Sequence, residues 1–143
     1  MSAHVLKLAD WNVQCQQARA VRYAVFVVEQ GVPVELEWDD MDAVSWHAVA
    51  YDAEGNPIGT GRLLPDGHIG RMAVLKASRG AGIGGAILDG LMAKAMDLGY
   101  RDLILNAQTV AIPFYARYGF VPEGDEFMEA GIPHRVMQKK TPS

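Results

Sequence analysis

The apolar positions change period several times along this chain, and each change predicts an element. Residues 4–8, HVLKL, alternate weakly and predict a short strand. From Asn12 the spacing becomes helical: Ala18, Val21, Val25 and Val28 share a stripe, with Arg19 and Arg22 off it. Asn12 is the expected N-cap, and Gly31 with Pro33 close that helix. SWHAVAYD alternates as a strand, AEGNP supplies a turn and IGTGRLL returns; PDG then turns the chain into HIGRMAVL. These three runs predict an antiparallel meander. Ile87, Leu88, Leu91, Ala95 and Leu98 share a helical face that Gly99 terminates, and DLILNA reads as a short buried strand. The strand, helix and strand between residues 68 and 107 need a crossover, so their strands should pair in parallel. VAIPFYARYG predicts another short helix closed by Gly119, and FVPEG with EFMEAGIPHRVMQKK predicts the last strands about a turn. The expected architecture is an α/β domain with a mixed sheet: a strand and helix, a meander, then βαβαβ. No internal repeat or linker divides it, so residues 1–143 are expected to form a single domain.

One polar stretch interrupts this pattern. VELEWDDMD places five carboxylates in the eight positions from Glu35 to Asp42, around Trp38. It reads as a solvated loop, or as an acidic lure for an amine or a basic peptide.

Composition narrows the class. Half of the 143 residues are hydrophobic and 21% are charged, an ordinary globular balance. The net charge of -4 argues against nucleic acid as a partner. The lone Cys15 allows no internal disulfide and no cysteine metal cluster, so no metal site is expected. No apolar run approaches the length of about 18 residues that suggests a membrane span, and the N-terminus lacks a signal-like apolar segment. A soluble, cytoplasmic protein is therefore expected.

The richest local signal is RGAGIGG, residues 79–85, directly before a helical run. Gly80, Gly82 and Gly85 satisfy the dinucleotide pattern G-x-G-x-x-G, but the context does not. LKAS separates the loop from its strand, three strands precede it, and the zone expected to hold a ribose-binding acid reads ILNA. A triphosphate P-loop fails because Ala86 and Ile87 stand where Lys and Ser or Thr are required. Successive glycines still let backbone N–H groups converge on a phosphate, and the following helix adds its positive end.

Arg79-Gly80-Ala81-Gly82-Ile83-Gly84 resembles the R/Q-x-x-G-x-G/A signature of the GNAT superfamily of acetyl-CoA-dependent N-acetyltransferases. The resemblance runs from about residue 69 to 121 and includes PFYARYGF; VFVVEQGVP and GIPH are similar to the ElaA-like branch. It implies that acetyl-CoA lies in a V-shaped cleft between HIGRMAVL and DLILNA, leaving as coenzyme A. Backbone groups of Met72, Ala73 and Val74 would bind the pantetheine arm and polarise the thioester carbonyl. Amides of Arg79, Gly80, Ala81, Gly82, Ile83 and Gly84 would hold the pyrophosphate. Asn106 matches a cofactor-contacting position, and equally suits a strand-end turn.

By the same resemblance Tyr115 is the general acid for the departing thiolate and touches the cofactor; otherwise it packs its helix on the sheet. Tyr118 is the alternative. Candidates for the general base are Glu29, His134 and His47, while His4 and His68 read as surface or strand-edge residues. The implied activity is transfer of an acetyl group to a primary amine, of a small molecule or a protein, by direct attack in a ternary complex. The alternative is a non-catalytic acyl-CoA sensor. A homodimer is a further possibility that the family suggests.

Overall fold

The computed structural model describes residues 5–37 and 39–141; His4 and Trp38 lie outside them. Among these residues seven strands form one sheet in the order β1-β2-β3-β4-β5-β7-β6. Strand β1 (Val5–Ala9) is followed by helix α1 (Trp11–Arg22), whose N-cap is Asp10 rather than Asn12: its carboxylate accepts the Val13 N–H at 3.1 Å. The helix does not simply run on to Gly31. It widens into a π-helix, Tyr23–Glu29, that buries Val25 but turns Val28 outward. Gln14, buried beneath α1, donates to the carbonyls of Lys7 and His47 at 2.8 Å each and so pins the helix across β1 and β2.

The predicted meander is present as β2 (Trp46–Tyr51), β3 (Pro57–Leu63) and β4 (His68–Val74), all antiparallel. Helix α3 (Ile83–Asp97) lies on this meander with Ile83, Ile87, Leu88, Leu91 and Ala95 buried. Its approach to β3 is close. A Cβ at Gly61 would stand 2.9 Å from both Ile87 Cγ2 and Leu91 Cδ1, so only glycine fits there.

After α3 come β5 (Asp102–Gln108), the short helix α4 (Ile112–Ala116), β6 (Val121–Glu129) and β7 (Ile132–Lys140). Strand β7 inserts antiparallel between β5 and β6. The expected parallel contact joins β4 to β5, as the crossover through α3 requires. No helix among the described residues is long and apolar enough to cross a membrane.

The acidic segment departs from its expected solvated loop. A four-residue helix α2 (Val34–Glu37) and a 3-10 turn (Asp40–Val44) fold it back against α1 and the meander, with Glu37 and Asp42 buried. The reason is three arginines from elsewhere. Arg22, itself 1% exposed, donates Nε to Glu37 Oε1 and Nη1 to Asp42 Oδ1 at 2.7 Å. Arg62 grips Asp39 with two bonds of 2.6 and 2.7 Å and reaches Asp42 at 2.9 Å. Arg71 adds a 3.2 Å contact to Asp39. Glu37 and Asp42 can be buried because each is paired, while Asp39 meets its arginines at the exposed edge of the cluster.

Candidate functional site

The cleft originates in strand geometry. β4 and β5 pair only at His68↔Ile104 and Ile69↔Leu105, then separate although both continue. A β-bulge helps to part them. Arg62 faces Gly70 and Thr60 faces Ala73, so Gly61 alone opposes Arg71 and Met72. Arg71 takes φ 48°, a left-handed conformation that costs a side-chain-bearing residue energy and that its ion pairs hold in place.

A cavity of about 1020 Å³ fills the opening. Met72, Ala73 and Val74 line it from β4, and Arg79, Gly80, Gly82, Ile83 and Gly84 from the glycine loop and the start of α3. Asn106 of β5, Tyr115 of α4 and His134 of β7 line it opposite. Of the described residues singled out as candidates in the sequence, Ala81, Glu29, His47 and Tyr118 do not line it.

The loop leaves open space beside its backbone. Gly80 and Gly82 have φ of 84° and 79°, and a Cβ at either would meet nothing within 4 Å. Gly82 caps α3 without any side-chain hydrogen bond, so among the described residues no side chain caps the first-turn N–H groups of the helix. Arg79 is engaged on its flank: Nη1 and Nη2 each reach a Glu29 carboxylate oxygen at 2.7 Å, and Nε donates to the Val74 carbonyl at 3.0 Å. The Arg79 hydrogen bond holds the Glu29 carboxyl below the usual range, opposite to what a base near neutrality requires.

Tyr115 is half-buried against Phe120, and burial pushes its phenol up to about 12. Tyr118 instead turns its hydroxyl onto Gly85 of α3. His134 is buried, stacks on Phe127 at 5.9 Å and has Nδ1 2.7 Å from the Ile132 carbonyl. His47 lies outside the cavity, with Nε2 donating to the Asp42 carbonyl at 2.8 Å and its ring 4.6 Å from Trp11; burial lowers its pKa. His68 lines the cavity near the strand crossing, 2.9 Å from Asp66.

On the side away from the glycine loop, Glu37, Asp39, Arg62 and Arg71 line the same cavity. Burial raises the Glu37 pKa against the pull of Arg22, whereas the Arg62 hydrogen bond lowers that of Asp39. The sequence reading missed this ionic wall. The signal available to it was Arg62 and Arg71 within the strands of the meander, where a charge needs a partner. Gln108 also donates to Gln30 at 3.0 Å, joining the end of β5 to the end of the π-helix.

A family model described as the acetyltransferase (GNAT) domain matches residues 15–141. YjcF of Bacillus subtilis, named as an N-acetyltransferase, is 47% identical over 136 residues, covering 92% of this chain and 96% of its own. A crystal structure of an acyl-CoA N-acyltransferase from Pseudomonas aeruginosa superposes with a TM-score of 0.86 at 29% identity, over 96% of this chain and 99% of that one. Escherichia coli ElaA, 24% identical, shares the fold at a TM-score of 0.85 over 96% of this chain and 99% of its own.

Proposed function

Because this chain belongs to the GNAT acetyltransferase family, we propose that it transfers an acetyl group from acetyl-CoA to a primary amine, by direct attack within a ternary complex. Family membership makes it an acyltransferase that uses a coenzyme A thioester and an acceptor. The acetyl group and the amine, on a small molecule or a protein, extend that statement.

One observation carries the reading: the separation of β4 from β5 beside an uncapped helix N-terminus. The β4 edge at Met72, Ala73 and Val74 suits the pantetheine amides as an added strand. The backbone from Arg79 through Gly84 suits the pyrophosphate, with Asn106 bordering the arm. The thioester supplies an activated acyl carbon; the residues around it supply position and protons.

Tyr115 is the proposed donor to the departing sulfur. A thiol has a pKa of about 8.5, well below that of Tyr115, so the phenol keeps its proton and stabilises the developing thiolate mainly by hydrogen bonding. In the balanced reaction the C–S bond is exchanged for C–N, and the proton that ends on sulfur is one lost by the amine. His134 is the proposed base. A carbonyl only accepts, so Nδ1 carries hydrogen toward Ile132 and Nε2 of the neutral ring is left with its lone pair. Glu29 is assigned to Arg79 rather than to the base role, since both its oxygens are bonded there.

Thiol release from acetyl-CoA across a panel of amines tests this function. Tyr115→Phe should slow turnover while leaving acetyl-CoA binding nearly unchanged. Acetyl-CoA binding without turnover of any amine would favour the sensor instead.

A further inference from the structure

The β6–β7 hairpin brings a carboxylate to the proposed base. Glu129 and His134 both line the cleft, and Glu129 Oε2 stands 3.5 Å from His134 Nε2. His134 is 6% exposed, with its ring fixed by Phe127 and by the Nδ1–H bond to Ile132. Glu129 Oε2 and, in the tautomer that the Ile132 bond selects, His134 Nε2 are both hydrogen-bond acceptors lining one cleft. The separation exceeds the roughly 2.7–2.9 Å of a charge-assisted bond, so no tight imidazolium–carboxylate pair closes it. A cation with two or more N–H groups satisfies both atoms at once.

We propose that Glu129 and His134 form the subsite for the acceptor's primary ammonium, one N–H donating to Glu129 Oε2 and another to His134 Nε2. This rests on the amine-acceptor reading above. His134 then takes the proton: an ammonium N–H bond breaks, its electron pair stays on nitrogen, and Nε2–H forms. The result is a neutral amine and an imidazolium beside the Glu129 carboxylate, and the proton later passes to solvent. Of the guanidinium groups that line the cleft, Arg62 and Arg71 are paired with Asp39, Arg79 is paired with Glu29, and Arg117 lies over the Phe114 ring. The geometry selects primary ammonium over quaternary ammonium, which has no N–H, and over alcohols, which have no charge.

The test titrates the full chain, holding coenzyme A without an acyl group, with n-butylammonium while the His134 imidazole signals are followed by NMR. Saturable shifts are expected with n-butylammonium and not with 1-butanol or tetramethylammonium. Glu129→Gln, a substitution at an exposed side chain, should weaken n-butylammonium binding by about tenfold. Equal binding by Glu129→Gln, or by tetramethylammonium, overturns the subsite. The two readings fail separately. Amine acetylation with an unchanged KM in Glu129→Gln would remove the subsite and leave the function. Ammonium binding without turnover of any amine would do the reverse.

Discussion

Replacing Arg22 by methionine keeps most of the side-chain volume and removes the cation between two buried carboxylates. The side chains of Arg22, Glu37 and Asp42 are 1%, 1% and 4% exposed, so solvent cannot take over the lost pairing. Breaking one partner of such a cluster costs about 3–5 kcal/mol. At about 2.1 cal/mol/K per residue, the unfolding entropy of 143 residues is about 0.3 kcal/mol/K, so the melting temperature should fall by roughly 10–17 °C. The pH dependence has a definite sign. Burial already raises the Glu37 pKa, and Arg22 opposes that rise. Without Arg22 the folded-state pKa rises further above its unfolded value. The associated stability is then present at low pH and lost as pH rises through the folded pKa. The deficit should therefore be larger at about pH 8 than at about pH 5. Thermal unfolding followed by circular dichroism at both pH values measures it. A fall of less than about 3 °C, or a deficit independent of pH, would refute the claim that this cluster is a dry, mutually compensating unit.

Two further outcomes follow from the cleft. Because burial pushes the Tyr115 phenol up to about 12, thiol release at saturating acetyl-CoA should show no tyrosine-dependent alkaline decline up to about pH 10; a decline there that Tyr115→Phe abolishes would contradict the assignment. Glu29→Ala frees Arg79, whose bidentate pairing otherwise holds it on the π-helix, and should tighten coenzyme A binding by about threefold in calorimetry; weaker binding would mean that the pair itself braces the phosphate loop.

The elements were legible wherever one period dominated. The face of Ile87, Leu88, Leu91 and Ala95 is buried as its spacing predicts, and the meander follows its turn residues. Leu98, read as part of that face, lies at the helix end and is 40% exposed, because the chain there is already leaving the sheet. Asp10 displaced Asn12 as cap since two positions separated by one residue offered similar side chains, and only the path out of β1 chooses between them. The glycine loop was legible for a different reason. Its conformations are ones that few other residues adopt, so composition reports geometry directly.

Long-range pairing is where local reading fails. The carboxylates between Glu35 and Asp42 have no cation within their own segment, and hydrophilicity alone cannot distinguish a hydrated charge from a buried one with a distant partner. Their partners sit on α1, β3 and β4, brought together only when the meander closes over the helix. Arg71 gains the most from this closure. Its left-handed backbone creates the bulge, its side chain joins the acidic wall, and the next residues along β4 form the cleft edge. The same contacts that neutralise the acidic segment thus hold open the strand separation on which the proposed chemistry depends. An ion network that looks dispensable for catalysis, since none of its members is assigned a proton transfer, is in this chain the support that gives the cleft its shape.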